Sequence, residues 1–323
     1  MKTWIRVSAL TSIALGAVFS LRCGQLWAQG RLPDPFEGAG NHNCGPQAVA
    51  PEAASAAGFN RLDFCDDFNS ISTIDVDGTG APGFNWYTRF SRGRFGQGGP
   101  DHTLPSGYSV SNSVLTTTSA GSFAQAMTTR DPVTGNGQAW NFGYFEARIR
   151  FDPTLGPKAP WFPCFWALSS FFEQYHNEDL RPELDIFEAY TEGPNGRGGN
   201  GPYAGEFLGT MHHFQRNGNG VQLNIENSNN YQKVDVDWSQ WHVIACLWVR
   251  GKVTWYLDGK ALMSQEYSAT APPNPLPHAH ANSNSTTDFT GVFDVLDTQT
   301  MQLIIGSAPG WPMYFDWVRV WEK

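Results

Sequence analysis

The sequence is poor in basic residues and contains no run of them. Lysine and arginine number 21 against 30 aspartates and glutamates, so the 323-residue chain has a formal net charge of -9. Nucleic-acid binding depends on cationic side chains that face phosphates, and this balance argues against it. The chain also lacks a fixed-period repeat and a strongly amphipathic helical stretch, which argues against repeat and helical architectures.

Long hydrophobic runs are absent except at the N-terminus, where VSALTSIALGAVFSL follows the positively charged MKTWIR. About fifteen apolar residues suit the core of a signal peptide and are too few for a membrane span. We expect cleavage after Ala28, so that residues 1–28 are a signal peptide and the mature protein is secreted, extracellular or periplasmic, without membrane attachment. Cys23 would suit a lipid-anchored start instead, but Arg22 directly before it disfavours that alternative.

Cysteine is scarce, with 5 residues in the whole chain. Cys44 and Cys65 flank a loop rich in proline and alanine. In an oxidising compartment we expect a disulfide bond between them, which would stabilise the fold by roughly 3 kcal/mol. Cys164 and Cys246 lie inside apolar strand-like segments, where buried thiols and a disulfide bridge are both open.

Aromatic residues are abundant instead, with 22 Phe, 13 Trp and 10 Tyr, which suits β structure and also the binding of sugar rings. In YFEARIRF, residues 144–151, apolar residues alternate with polar ones, which predicts a strand with one buried face. The segment WHVIACLWV, residues 241–249, is apolar on both faces. Asp258 and Gly259, between two apolar runs, predict a hairpin turn.

Many short segments of this kind predict an all-β fold, an antiparallel β-sandwich of the jelly-roll type. We expect it to form one domain over residues 61–323. Residues 29–60 are rich in glycine, proline and alanine and are predicted to be a linker or an N-terminal wrap.

Three carboxylates crowd the stretch RPELDIFEAY, residues 181–190. A regular strand would place Glu183 and Asp185 on one face and Glu188 on the other. One extra residue, accommodated as a β-bulge at Ile186 and Phe187, returns Glu188 to the first face. The α-carbons of the two glutamates are then about 13 Å apart, and inward-leaning side chains could bring their carboxyl groups to about 5–5.5 Å.

That separation is typical of glycosidases that retain the anomeric configuration. In these enzymes one carboxylate attacks the anomeric carbon, and a protonated carboxyl group supplies a proton to the leaving oxygen. Repulsion between crowded carboxylates is a general means of keeping one of them protonated near neutrality. For an arbitrary E-x-D-x-x-E match, the alternatives are a solvated edge strand and a calcium site.

The segment ELDIFE resembles the E-x-D-x-x-E signature of glycoside hydrolase family 16. Further blocks between about Arg61 and Lys323 resemble those of that family in the same order; they are DFCDDF, FGYFEARIRF, WFPCFWAL, GTMHHF, WHVIACLWVRGKVTWYLDGKAL and MYFDWVRVWEK. The resemblance implies a concanavalin A-like jelly roll with a sugar cleft on its concave sheet. It implies Glu183 as nucleophile, Glu188 as general acid/base and Asp185 as the assisting carboxylate. The spacing with the additional residue resembles the laminarinase, agarase and carrageenase branches.

The resemblance also implies roles for residues outside the acidic stretch. It places Trp166 on the cleft floor, where an indole stacks on a sugar ring, although a sandwich core would also hold a tryptophan there. It implies substrate contacts for Trp161 and for His212, with a core or surface histidine as the alternative for the latter. Cys164 stands where alanine is common in the family. Asp316 resembles a residue that binds structural calcium in some members, and no cofactor is otherwise expected.

These features predict a secreted, monomeric, endo-acting β-glycosidase that hydrolyses a β-1,3-glucan-type polysaccharide or a marine galactan with retention. A non-catalytic carbohydrate-binding jelly roll and a transglycosylase with the same site are the alternatives. Crowded carboxylates favour catalysis over binding alone, because a binding module has no need of them. The net acidity of the chain disfavours a sulfated galactan.

Overall fold

Strands make up nearly all the regular structure of the described residues. The computed structural model describes residues 44, 48–89, 107–117, 125–152, 164–170, 181–189, 206–216, 222–226, 231–266, 299–307 and 312–323. Among these residues, a short helix, α1 (Glu52–Ala56), precedes the first strand, and a 3-10 turn spans Ile71–Thr73. The strands are β1 (Arg61–Asp66), β2 (Ile74–Asp75), β3 (Trp86–Tyr87), β4 (Tyr108–Ser111), β5 (Val114–Thr117), β6 (Gln125–Thr128), β7 (Gly143–Phe151), β8 (Cys164–Ser169), β9 (Arg181–Glu188), β10 (Glu206–Arg216), β11 (Gln222–Glu226), β12 (Tyr231–Lys233), β13 (His242–Val249), β14 (Lys252–Leu257), β15 (Lys260–Glu266), β16 (Met301–Ser307) and β17 (Met313–Glu322).

The described strands form two sheets. The eight-stranded sheet has the order β15-β14-β13-β7-β17-β5-β4, with β1 also paired to β17. The nine-stranded sheet has the order β11-β10-β9-β8-β16-β6-β3-β2, with β12 also paired to β10. Among these strands the pairing of β2 with β3 is parallel, and the pairs that build the centre of each sheet are antiparallel. The predicted antiparallel sandwich is confirmed.

The main core lies between the two sheets and is built by strand alternation. Alternate residues of β7 enter it as predicted; they are Phe145, Ala147, Ile149 and Phe151. Strand β13 is buried on both faces over most of its length, which confirms the prediction for WHVIACLWV. Asp258 and Gly259 form the β14–β15 turn with φ values of 48° and 76°, the left-handed conformation that a two-residue hairpin turn requires.

The second face of β7 is also largely buried, so the prediction of a single buried face is wrong. Tyr144, Glu146 and Arg148 are between 1% and 4% exposed. Tyr144 packs in a second apolar cluster with Phe59, from the segment before β1, and with Trp321 from the last strand. Alternation alone could not reveal this cover, because the covering residues come from both ends of the chain.

The segment before β1 is attached to the sandwich by packing and by a disulfide bond. Ala54 of α1 and Phe59 join the apolar cluster on the outer face of the eight-stranded sheet. Cys44 and Cys65 form the predicted disulfide, with their α-carbons 5.3 Å apart. Cys164 and Cys246 are thiols and do not form the disulfide bridge that the sequence left open. Within the described ranges, helices with the length and apolarity of a membrane span are absent.

Candidate active site

Strand β9 carries the three clustered acids and lies between β8 and β10. Each acid has a direct cross-strand partner on β8; the pairs are Glu183 with Leu168, Asp185 with Trp166 and Glu188 with Cys164. Each also has a partner on β10; the pairs are Glu183 with His212, Asp185 with Thr210 and Glu188 with Leu208. Directly opposed residues share a face of the sheet, so these pairs identify the surroundings of the acids.

The pairing of β9 with β8 is irregular between the second and third acids. Phe165 pairs with Phe187, and the next residue of β8, Trp166, pairs with Asp185. Ile186 is therefore an extra residue on β9 without a counterpart on β8. Two residues opposed to one is the defining feature of a β-bulge.

The pairing with β10 shows the same irregularity from the other side. Thr210 pairs with Asp185 and Leu208 pairs with Glu188, so the single residue Gly209 faces two residues of β9. The pairing with each neighbouring strand thus shows one extra residue in β9. The bulge predicted at Ile186 and Phe187 is confirmed.

Burial shows how the bulge turns the strand. Ile186 and Phe187 are consecutive, yet both are fully buried in the core between the sheets, together with Leu184 and Ala189. Strict alternation would send one of the two out of the core. Because both point inward, the next residue returns to the face that points away from the core. We call this the acid face of the nine-stranded sheet; it carries Glu183, Asp185 and Glu188.

Aromatic packing in the core stabilises Phe187, which directly follows the extra residue Ile186. Its ring centroid lies 6.0 Å from that of Phe151, 5.2 Å from that of Phe207 and 5.0 Å from that of Trp238. Edge-on and tilted pairs of this kind contribute about 0.5–1.5 kcal/mol each beyond the area that they bury. This packing offsets the backbone pairing that the bulge disrupts.

A hydrogen bond from the opposite sheet satisfies the backbone beside the bulge. The indole Nε1–H of Trp255, on β14, donates to the carbonyl oxygen of Asp185 at 2.8 Å. The indole can reach β9 only because Gly209 has no side chain. A Cβ atom at residue 209 would lie 2.3 Å from Cδ1 and Nε1 of the indole. Sequence inspection missed both residues, although a glycine inside the strand-like segment EFLGTMHHF is a signal for close backbone approach.

The acid face around the carboxylates is largely closed to solvent. Trp166 is 7% exposed and packs with Leu168 and Ile304 in an apolar cluster separate from the main core. Asp185 is 2% exposed and Glu188 is 8% exposed, whereas Glu183 is half-buried. Charges enclosed in this way interact more strongly with one another and with a bound group than they would in water. Trp166 thus lies beside Asp185 and not in the main core; its contact with a sugar stays a prediction.

Two further predicted substrate contacts are only partly located. The backbone of His212 lies opposite Glu183 in the β9–β10 pairing, and its side chain is outside the described part of the structure. Trp161 belongs to a segment outside the described residues. Both assignments stay predictions.

Asp316, the predicted calcium ligand, lies on the other sheet and has a cationic partner. It is the extra residue of a bulge in β17, and its carboxylate accepts a hydrogen bond from Nη1 of Arg148 at 2.5 Å. Both side chains are less than 10% exposed, at 4% for Arg148 and 9% for Asp316. The described residues include no cluster of three or more His, Cys, Asp and Glu side chains suited to a metal ion. The guanidinium of Arg148 thus neutralises the Asp316 carboxylate, and calcium binding by Asp316 stays a prediction.

A buried glutamate lies near this ion pair on the outer face of the eight-stranded sheet. Burial raises the pKa of Glu146 from its ordinary value of 4.5 to about 7. A hydrogen bond of 2.7 Å from Nε1 of Trp321 and the charge of Arg319 oppose that rise only in part. Glu146 belongs to a different sheet from the acid face and takes no part in the candidate site.

Comparison with known proteins identifies similar folds. No family model and no curated protein sequence matches the chain. The chain is similar to the laminarinase catalytic domain from Thermotoga maritima, with 18% identity over 81% of this chain and 98% of that domain and a TM-score of 0.50. It is similar to LamAcat from Zobellia galactanivorans, with 13% identity over 82% of this chain and 99% of the other and a TM-score of 0.50.

A third similar structure is SCLam, an endo-β-1,3(4)-glucanase of family GH16. It shares 18% identity over 81% of this chain and 91% of its own length, with a TM-score of 0.47. Identities this low establish architecture and not activity. The chain therefore has the fold of the Thermotoga maritima laminarinase catalytic domain and of LamAcat, and the predicted resemblance is confirmed for the fold alone.

Proposed function

We propose that the protein is a secreted glycoside hydrolase that cleaves internal bonds of a β-linked glucan with retention of anomeric configuration. The observation that carries the proposal is the bulge in β9, which returns Glu188 to the face of Glu183 and Asp185. A bulge disrupts regular strand pairing. In this one, the packing of Phe187 in the core and the hydrogen bond from Trp255 to the Asp185 carbonyl oxygen offset that loss. Bulges are frequent where a strand must re-aim a side chain beside an active site.

In the first step of the proposed mechanism, a carboxylate oxygen of Glu183 forms a bond to the anomeric carbon. The glycosidic bond breaks, and Glu188 transfers its proton to the leaving oxygen. The leaving chain departs with a new hydroxyl group, and a covalent glycosyl-enzyme remains on Glu183.

In the second step a water molecule attacks the same carbon. Glu188, now ionised, accepts the proton of that water, and the bond to Glu183 breaks. Two inversions at one carbon give overall retention. Asp185 lies between the two glutamates and, with its backbone carbonyl held by Trp255, is positioned to orient them through the sequence of steps.

The substrate that we favour is a β-1,3-glucan such as laminarin. The fold shared with a laminarinase catalytic domain supports this choice. Trp166 beside Asp185 supports a sugar ring stacked against the acid face. The net charge of -9 favours a neutral polysaccharide over a sulfated one.

The test is a screen of laminarin, mixed-linkage β-glucan, agarose and carrageenan with analysis of the products. We expect laminarin to be cut internally into short oligosaccharides. Glu183→Gln should abolish turnover while the circular dichroism spectrum is unchanged, and the matched exposed control Glu266→Gln should keep the parental rate. Glu183→Gln activity within tenfold of the parent would exclude Glu183 as nucleophile. Sugar binding without turnover by the parent would favour the non-catalytic jelly roll, and product chains longer than the substrate would favour the transglycosylase.

The role of Glu188 has a separate test. Glu188→Ala should turn over an aryl β-glucoside with a good leaving group but not laminarin, because only laminarin needs a proton on the leaving oxygen. Added azide should then accelerate the second step by replacing water as the nucleophile. Full activity of Glu188→Ala on laminarin, with no response to azide, would assign the acid/base role to another residue.

A further inference from the structure

Gln302 of β16 lies on the acid face, in the same cross-strand row as the proposed nucleophile. It pairs with Leu168, and Leu168 pairs with Glu183. Its chain neighbours Met301 and Leu303 belong to the main core, so alternation places the Gln302 side chain on the opposite face. With strands about 4.8 Å apart, the α-carbons of Gln302 and Glu183 are about 10 Å apart.

The Gln302 amide is buried without a hydrogen-bond partner in the described structure. The residue is 0% exposed, and neither its Nε2 nor its Oε1 has a partner there. Glutamine is rarely buried at all, and the great majority of buried side-chain polar atoms are paired. A buried amide without hydrogen bonds destabilises the folded protein. The burial of Nε2 and Oε1 of Gln302 therefore needs a functional reason.

Ser170, one strand away, has the same property. Its backbone N–H donates to the carbonyl oxygen of Thr300, so it pairs opposite Thr300 and is the diagonal neighbour of Gln302. Diagonal neighbours across an antiparallel pair are about 7–8 Å apart, within reach of a common ligand. Ser170 is 2% exposed, and its Oγ also lacks a partner within the described ranges. Among the described residues, two polar side chains without partners therefore lie as diagonal neighbours at one end of the acid face.

The chemistry of these groups indicates the class of ligand. An amide offers both donors and an acceptor, and a hydroxyl group can donate and accept. Neither carries a charge, whereas sulfate and carboxylate groups are bound mainly by charged donors. Unsubstituted sugar hydroxyls, which donate and accept at once, match the pair. Gln302 is hardly less accessible than Asp185, which the proposed mechanism places beside the sugar.

We infer that Gln302 and Ser170 bind hydroxyl groups of a neutral sugar unit next to the one that Glu183 attacks. The inference rests on the proposed function and extends it by assigning specificity to one end of the acid face. Gln302 is then a substrate-binding residue that favours an unsulfated glucan. On this inference the hydrogen bonds of the Gln302 amide form when the sugar binds, and the bound substrate satisfies a buried polar group.

The test compares Gln302→Met with Gln299→Met. Methionine has nearly the length of glutamine and no amide. Gln299 lies just before β16, but its Oε1 already accepts a hydrogen bond from Ser169 at 3.2 Å. We expect Gln302→Met to raise the Tm by about 2–4 °C and to lower kcat/KM on laminaritetraose roughly tenfold. The control should lower the Tm and leave kcat/KM unchanged. In the inactive Glu183→Gln background, Gln302→Met should also weaken laminaritetraose binding roughly tenfold in calorimetry.

Two kinds of failure are distinguishable in this experiment. A parent that cleaves laminarin while Gln302→Met keeps the parental kcat/KM, or loses thermal stability, overturns the inference and leaves the proposed function intact. A parent that neither cleaves nor binds any of the four polysaccharides overturns the proposed function, and the inference with it. Ser170→Ala gives an independent check, because it should shift both quantities in the same directions as Gln302→Met by a smaller amount.

Discussion

Replacing Gly209 with alanine is expected to disrupt the acid face without altering a carboxylate. A Cβ atom there would lie 2.3 Å from two atoms of the Trp255 indole and 2.6 Å from a third. The ring is fully buried, and protein cores are closely packed with few voids. Either the ring or strand β10 has to move, and a moved ring loses its hydrogen bond to the Asp185 carbonyl.

The expected cost follows from these contacts. Overpacking a core costs about 1–3 kcal/mol, and leaving a buried carbonyl unsatisfied costs about 1–3 kcal/mol more. Alanine recovers about 0.4–1 kcal/mol by restricting the unfolded chain. We expect the free energy of unfolding to fall by about 2–4 kcal/mol, which lowers the Tm of a chain this size by about 3–7 °C.

Calorimetry measures the expected loss of stability in Gly209→Ala, and laminarin hydrolysis measures the expected loss of activity. The kcat should fall with the Tm, because the indole holds the backbone between the two proposed catalytic glutamates. Trp255→Phe removes the hydrogen-bond donor and most of the atoms that a Cβ atom at residue 209 would meet. In that background, Gly209→Ala should lower the free energy of unfolding by less than half as much as it does in the parent. Parental Tm and kcat in the single variant Gly209→Ala would refute the claim that this contact supports the bulge.

Two other predictions test the bulge and the buried acid. Deletion of Ile186 should give the shorter E-x-D-x-E spacing, with both glutamates still on one face and measurable laminarin hydrolysis; a folded but inert deletion variant would contradict this. Burial raises the pKa of Glu146 to about 7, so the folded chain holds a proton that the unfolded chain releases, and the free energy of unfolding should fall as pH rises from 4.5 to about 7. Glu146→Gln should remove that slope and raise the unfolding free energy at pH 8 by roughly 3 kcal/mol; an unchanged slope in denaturant titrations would disprove the assignment.

The sequence contains enough information to predict the bulge but not its support. A period of two separates Glu183 from Glu188, and proposed chemistry that needs both on one face requires one extra residue between them. The bulge at Ile186 and Phe187 follows from that conflict. The donor that satisfies the Asp185 carbonyl comes from Trp255, 70 residues further along the chain and on the other sheet. Nothing local to the acidic stretch indicates that contact.

The outer face of β7 shows the same limit. Glu146 and Arg148 alternate with apolar residues and are typical of a solvated face, yet both are buried. Their partners, Trp321 and Asp316, belong to the last strand. Alternation predicts which residues share a face, whereas the cover over that face depends on tertiary pairing. Gln302 is a further case, because a glutamine among apolar strand residues gives no sign that its amide lacks a partner in the described part of the structure.

The most direct test of the central claim is the anomeric configuration of the first product. Proton NMR during the first minutes of laminarin hydrolysis, before mutarotation, distinguishes the two anomers of the new reducing end. Retention through a glycosyl-enzyme on Glu183 predicts that the β-anomer appears first and the α-anomer only later. Initial release of the α-anomer would show inversion by a single displacement and would contradict the assignment of Glu183 as nucleophile.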